Sequence, residues 1–483
     1  MRKSVRVRWI VAAAVVVFGA SVASAETFYV DVEWEGPSRG EAEAPFNTLG
    51  QAVEAYVKAG GGTVRVAGGL YKSTRAGGKE DFGEEGYMLR GRQGEWLGGY
   101  GGWDGERFDW TDEGRALPDA DNVDEGKMTV VDLTGANARA FHLAEYAKTV
   151  RFNGFVFRNS EVTRKDYPGG ALLLAGGMSA ASVHHCLFLN NRTTGPGGGL
   201  RLSGRGGTST HCTFIGNRSD AGGGGASVNP GNGSQTLQHF RFKDNRADAG
   251  GGGLEVPSYH VRVLDSAFEG NTAGGLGGAV SGAGHADLER CRIVGNRAAD
   301  GAAAGFEAHT GANFTFTNCL FVGNAATDEG GRLIHSGGGH GGGNATLAFC
   351  TIADNNTPGG AVVANATLRA RHCIVVGDGR GQGLRANRAA ALHRNLVHNF
   401  ASPYAAKARA GDDALDGDPR FRDPEAGDYR PEMHSPAVNA AVDPQAKVDI
   451  DGNPRPYNAK DLGVDLGCHE IPPVPRDTVL LLR

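Results

Sequence analysis

The chain has no surplus of positive charge. Its 49 Lys and Arg stand against 54 Asp and Glu, a formal net charge of −5 over 483 residues, whereas a nucleic-acid binder of this size would ordinarily be basic. Beyond residue 25 no stretch approaches twenty apolar residues, so no membrane-spanning helix is expected. Cysteine is scarce: the seven residues include no Cys-x-x-Cys pair, which argues against a zinc site. Glycine, by contrast, is abundant. Its 78 residues follow no three-residue period and accompany 40% hydrophobic residues, a composition that excludes collagen and wholesale disorder. The length suits two or three ordinary domains or one repeat array.

Residues 1–25 read as a secretory signal peptide, with a basic start, an apolar run from Trp9 to Phe18 and Ala23-Ser24-Ala25 in A-x-A form. Loss of Arg2, Lys3, Arg6 and Arg8 would bring the mature chain to a net charge near −9. The expected product begins at Glu26 and is secreted or periplasmic, with no transmembrane anchor.

A phrase of the form Cys-x-Phe-x-x-Asn recurs between Arg151 and Arg380, as in Cys186-Leu-Phe188-Leu-Asn-Asn191 and Cys212-Thr-Phe214-Ile-Gly-Asn217. Its final asparagines are Asn191, Asn217, Asn245, Asn271, Asn296, Asn324 and Asn355, spaced 25 to 31 residues apart. A weaker copy precedes them at Asn159, and Asp378 closes the series. That spacing is about one coil of a parallel β-helix, whose stacked strands lie about 4.8 Å apart. Strand side chains alternate, so Cys and Phe point inward as core. The asparagines form a structural ladder, bonding amide to amide between rungs. Most phrases are followed by Gly-Gly and an apolar strand, as in Gly197-Gly198-Gly199-Leu200, while Gly301-Ala302-Ala303-Ala304-Gly305 loses the double glycine; these glycines provide bends rather than a phosphate cradle, because no helix follows. Thr48 and Gln51 form a capping-box pattern ahead of an apolar stripe from Leu49 to Val57, a helix placed to lid the open end of the solenoid.

These phrases resemble bacterial secreted right-handed parallel β-helix proteins with the Phe-x-x-Asn and Gly-Gly-Ala-Ile repeats of the polymorphic outer-membrane protein family, on a pectate-lyase-like superfamily fold. Phe28-Tyr29-Val30-Asp31, Trp96–Trp103 and Asp418 to Glu470 are similar to that group's opening, Gly-Gly-Phe and terminal segments. No alternating strands of a membrane barrel follow Pro475, so the resemblance extends to the solenoid and not to the barrel. The implied fold is all-β, a right-handed parallel β-helix with a short N-terminal capping helix and a C-terminal cap. Its divisions are a signal peptide (1–25), an N-terminal strand and helix (26–62), the β-helix (63–414), a C-terminal capping module (415–471) and a tail (472–483).

Several columns could carry function. The residues before each cysteine position are expected to face solvent as a column, His185, His211, His239, Asp265, Arg290, Asn318, Phe349 and His372, of which the first five are the candidate surface column. It is a weak metal site, because one ion needs ligands within about 2.1 Å and the outer two histidines start about 9.6 Å apart. Arg241, Lys243 and Arg292 lie beside it, and Arg192, Arg218 and Arg246 follow the ladder asparagines; these are candidate polysaccharide contacts. Asp220 and Asp248 read either as neutralising those arginines or as a weak calcium site. Glu255 and Glu307 are an isolated carboxylate pair about 9.6 Å apart by rung counting. The lyase and polygalacturonase phrases of related β-helices are mostly missing or out of order. The leading expectation is an exported, non-catalytic scaffold that needs no cofactor and presents a polar face to polysaccharide or to a cell surface, with no nucleic-acid partner. The alternative is a polysaccharide lyase or hydrolase acting on an acidic polymer.

Overall fold

A computed structural model describes residues 26–472 apart from 91–92, 105–107, 144–148, 165–166, 176–179, 308–312, 338–342, 443–445 and 457–462. The expected signal peptide and the tail after 472 lie outside the described residues. One coil shows the local logic. Ala180–His184 forms a strand of sheet I, and His185 turns the corner at φ 47°. Leu187–Leu189 lies in sheet II, Asn190 turns a second corner at φ 52°, and Arg192–Thr193 adds a short strand to sheet III. A glycine turn through Gly197, at φ 83°, then leads into Leu200–Ser203 of sheet IV. Repetition builds four parallel sheets of 13, 12, 7 and 12 strands, a β-helix. Single left-handed residues make the corners, which is why His, Asn, Asp and Gly recur there.

In-register stacking fills the interior. Phe188, Phe214, Phe242 and Phe268 pair rung to rung, with ring centroids 4.5, 5.0 and 4.9 Å apart. All seven cysteines are free and buried. The ladder asparagines from Asn191 to Asn324 are buried as well: Asn217 Nδ2 donates to Phe188 O (3.0 Å) and to Asn245 Oδ1 (2.9 Å), and its main-chain N–H donates to the same Oδ1 (3.0 Å). This pattern repeats from Asn191 to Asn355, so side chains and main chain of successive corners satisfy one another.

The N-terminal helix spans Leu49–Ala59; Thr48 accepts from Gln51 N, and Gly60 ends the helix at φ 77°. Leu49, Ala52, Val53 and Tyr56 are buried against the first rungs. Buried Glu80 accepts from Leu49 N (2.7 Å) and Gly50 N (3.4 Å), placing a carboxylate where a helix N-terminus favours one.

Sheet II is covered at each end by chain from outside the solenoid. Ala116, Ala120 and Val123 pack on the outward residues Val130, Val156 and Leu187 of its first rungs. On its last rungs, parts of 415–471 cover Leu320, Ala353, Ile374 and Leu396, using Tyr429, Ala437, Ile450, Val464 and Leu466. Sheet II is therefore covered at both ends and open in the middle. Among the described residues no helix is long and apolar enough to cross a membrane.

Candidate functional site

The open middle of sheet II is polar where its covered ends are apolar. The first outward column there reads Thr213, Arg241, Ala267, Arg292 and the second Ile215, Lys243, Glu269, Val294. Arg241 pairs with Glu269 (3.0 Å), and Arg292 reaches Asp451 of the C-terminal module (2.5 Å). Lys243 has no ion-pair partner among the described residues. The three polysaccharide candidates of sheet II thus occupy two rungs, Arg241 and Lys243 on one and Arg292 two strands further, with Ala267 and Glu269 between them.

The column before the cysteines runs along the adjacent corner. Its members are not ordinary strand residues, for His185, His211, His239, Asp265 and Arg290 all sit at φ between 47 and 57°. His211 and His239 are exposed, while His185, Asp265 and Arg290 are half-buried. The expectation of a uniformly solvent-facing column fails further on, where Asn318, Phe349 and His372 are buried. Asn318 donates to Val448 O (2.8 Å), and His372 O accepts from Gly467 N (2.9 Å), so the C-terminal module covers these rungs. The imidazoles of His185 and His211 stack at 4.6 Å with planes 6° apart, and His211 and His239 also lie at 4.6 Å. Parallel rings send their nitrogen lone pairs side by side and not toward one ion. Among the described residues no group of three His, Cys, Asp or Glu is arranged to hold a metal. Burial and the neighbouring ring lower the pKa of both His185 and His211. Asp265 is tied to Arg290 at 2.6 Å; burial works to raise its pKa, but the hydrogen bond from Arg290 prevails and holds it down.

On sheet III the Arg and Asp columns interlock. Asp220 faces Arg192 and Arg218 (both 3.4 Å), and Asp248 faces Arg218 (3.1 Å) and Arg246 (3.3 Å). Each carboxylate is already bracketed by two guanidinium groups, an arrangement that opposes a calcium ion between them. These are partly exposed pairs of the kind that contribute about 0–1 kcal/mol each.

Sheet IV carries an arrangement the sequence reading did not assemble. Its outward row runs Arg201, Ser227, Glu255, Ser281, Gly305, His335 by register. Arg201 donates to Ser227 Oγ, Ser227 donates to Glu255 Oε2 (2.5 Å), and Arg201 stands 3.9 Å from that oxygen. Farther along, Asp300 accepts from Arg332 and lies 2.9 Å from His335 Nδ1. That approach is too poorly aligned for a hydrogen bond, so both His335 ring nitrogens lack one. The side chain of Glu307 lies outside the described residues, so the pair with Glu255 is not described. Only the glycine-led strands hinted at this row; apart from Ser227 and Ser281, its members share no residue type.

The covered end of sheet II makes stability pH-dependent. Burial holds His372 and His469 down to a pKa of about 4. An imidazole with a folded pKa below 6.5 leaves protons to the unfolded chain, so stability is full above pH 6.5 and drains as pH falls toward 4. Glu470, raised to about 7 by burial and by Asp465, works oppositely between pH 4.5 and 7. The two imidazoles are expected to outweigh the one carboxyl. A thermal midpoint lower at pH 4.5 than at pH 7.5, with a smaller drop in His372→Gln, checks this.

Comparison with known proteins bears on the architecture. A family model described as "Right handed beta helix region" matches residues 151–340. Among solved structures, pectate lyase Pel9A is similar at 14% identity, over 93% of this chain and 97% of that one, with a TM-score of 0.36. No curated protein matches the sequence. The family model sets the hand and the stacked parallel sheets the architecture: the fold is a right-handed parallel β-helix.

Proposed function

We propose that this right-handed parallel β-helix is an exported, non-catalytic scaffold that binds an extended acidic polysaccharide along the open middle of sheet II and the corner beside it. The observation that carries the reading is the window itself. The chain covers sheet II at both ends with its own apolar contacts and leaves bare the rungs with Arg241, Lys243 and Arg292, beside exposed His211 and His239. A polymer lying along the axis meets an equivalent position every ~4.8 Å. Arg241 and Arg292 are held there by exposed carboxylates, and since such pairs contribute about 0–1 kcal/mol, exchanging them for polymer carboxylates or sulfates costs little. A cell surface coated with such a polymer presents the same chemistry.

The test is co-sedimentation of the mature chain with polygalacturonate, heparin and a neutral glucan, with and without calcium. Retention on the acidic polymers is expected to fall with salt and to drop about tenfold or more in the triple variant Arg241→Glu, Lys243→Glu, Arg292→Glu. Retention unchanged by that variant overturns the site. Unsaturated products or new reducing ends in the same tubes overturn the scaffold reading in favour of a lyase or hydrolase.

A further inference from the structure

Away from sheet II, a groove opens on the outer face of sheet IV, with a volume of about 520 Å³. That is within the range of small-molecule sites. Pro257 and Leu276 contribute apolar wall, Gly250 and Gly305 leave main chain bare, and Glu255 and Ser281 supply the side-chain polar atoms. The register explains why the groove lies where it does: the outward row steps from Glu255 to Ser281 and Gly305 before the next large side chain, His335. Two consecutive rungs with almost no side chain leave a gap about two strand spacings, ~10 Å, long.

The polar groups at the gap are fixed and unspent. Glu255 is oriented by Ser227, which is itself held by Arg201. With one carboxylate oxygen on Ser227 and Arg201 3.9 Å away, its charge is already answered within the protein. Ser281 is 6% exposed, lines the groove, and its hydroxyl makes no hydrogen bond among the described residues. Its oxygen is open to the groove rather than sealed from solvent, so a ligand that bonds it takes the place of water.

We infer that this groove binds one neutral sugar unit, which donates hydroxyls to Glu255, bonds Ser281, and lays its C–H face on Leu276 and Pro257. The chemistry selects that class. Glu255 is an acceptor only and its charge repels an anion, so the ligand is a hydroxyl donor and not an anion. The Arg201–Ser227–Glu255 unit has no net charge, so it does not call for an ammonium group. The apolar wall is aliphatic and shallow, matching a pyranose face. This site differs in face and in ligand charge from the one on sheet II.

Ligand-observed NMR and calorimetry with the methyl glycosides of glucose, galactose, mannose and xylose, and with glucosamine, test it. At least one neutral glycoside is expected to bind with a millimolar Kd. Glu255→Gln, which keeps an acceptor oxygen and the Ser227 contact, is expected to weaken it about three- to tenfold. Ser281→Val, which fills the groove floor, is expected to abolish it. Both variants should retain acidic polymers like the parent, which separates a failure here from a failure of the sheet II reading. No binding of any neutral glycoside at roughly 50 mM, where a millimolar site is filled, overturns the inference. So does binding undisturbed by Ser281→Val, or a preference for glucosamine that is lost in Glu255→Gln.

Discussion

Replacing Asn245 with Ala is expected to destabilise the β-helix by about 3–5 kcal/mol, since each buried group left unpaired costs roughly 1–3 kcal/mol. Asn245 is 1% exposed. Its Oδ1 accepts from Asn217 N (3.0 Å) and Asn217 Nδ2 (2.9 Å), and its Nδ2 donates to Phe214 O (2.9 Å). Alanine leaves Asn217 N–H and Phe214 C=O without these partners in a wall that water does not reach. Asn355, at the end of the ladder, makes matching bonds but is half-buried, so water can replace them. Asn355→Ala is expected to cost about 1 kcal/mol. Urea melts of both variants check the contrast; equal losses would mean that the ladder is not sustained by burial. Contacts in a solenoid are between neighbouring rungs, so the Asn245 variant should also show a broader transition as the halves on either side uncouple.

Core and corners were legible in the sequence to different degrees. The Cys, Phe and Asn columns could be read because inward positions tolerate few residue types, and the Thr48 cap and Gly60 stop bounded the helix correctly. The corner before each cysteine was not readable as a left-handed turn. His, Asp, Arg, Asn and Phe share no signature there, and the constraint is backbone φ. By contrast, the second corner, filled by Asn190, Gly216, Asp244, Gly270, Gly295 and Gly323, carried a visible preference for residues that tolerate positive φ. Arg241, Lys243 and Arg292 lie at outward positions of one sheet. What marks them as open, however, is that Val130, Val156 and Leu187 on one side and Leu320, Ile374 and Leu396 on the other are outward yet covered. That contrast requires knowing which segment returns to which rung. The row from Arg201 to Glu255 and the Asp300–His335–Arg332 cluster draw on strands and turns about 25 to 35 residues apart, and only register brings them together.

The second large effect concerns the cover itself. Arg455 is wholly buried; it donates to Asp465 O (2.9 Å) and Gly467 O (2.7 Å), stands 3.4 Å from Glu470 and lies over the Phe349 ring at 4.6 Å. It thus fastens residues 465–470 to the corner where His372 and Thr351 accept from Gly467 N and Cys468 N. Arg455→Met fills similar space but leaves Glu470 buried without its cation and two carbonyls without donors. Removing one partner of a buried pair costs about 3–5 kcal/mol. The loss is expected to fall on docking of the C-terminal module, read as proteolysis within 415–471 and as dye binding to bared Leu320, Ile374 and Leu396, while the earlier rungs stay folded. The Glu470 carboxyl, already raised to about 7 by burial and Asp465, loses the Arg455 charge that works to lower it. A raised carboxyl contributes stability below pH 4.5 that is lost as pH rises through its folded value, so the variant should be most damaged at pH 8 and least at pH 5. Adding Glu470→Gln removes the charge at every pH and should flatten that dependence while recovering part of the loss. If the double variant instead stays as pH-sensitive as Arg455→Met alone, the unpaired carboxylate is not the cause, and the lost contacts of the guanidinium with Phe349 and the two carbonyls account for the detachment.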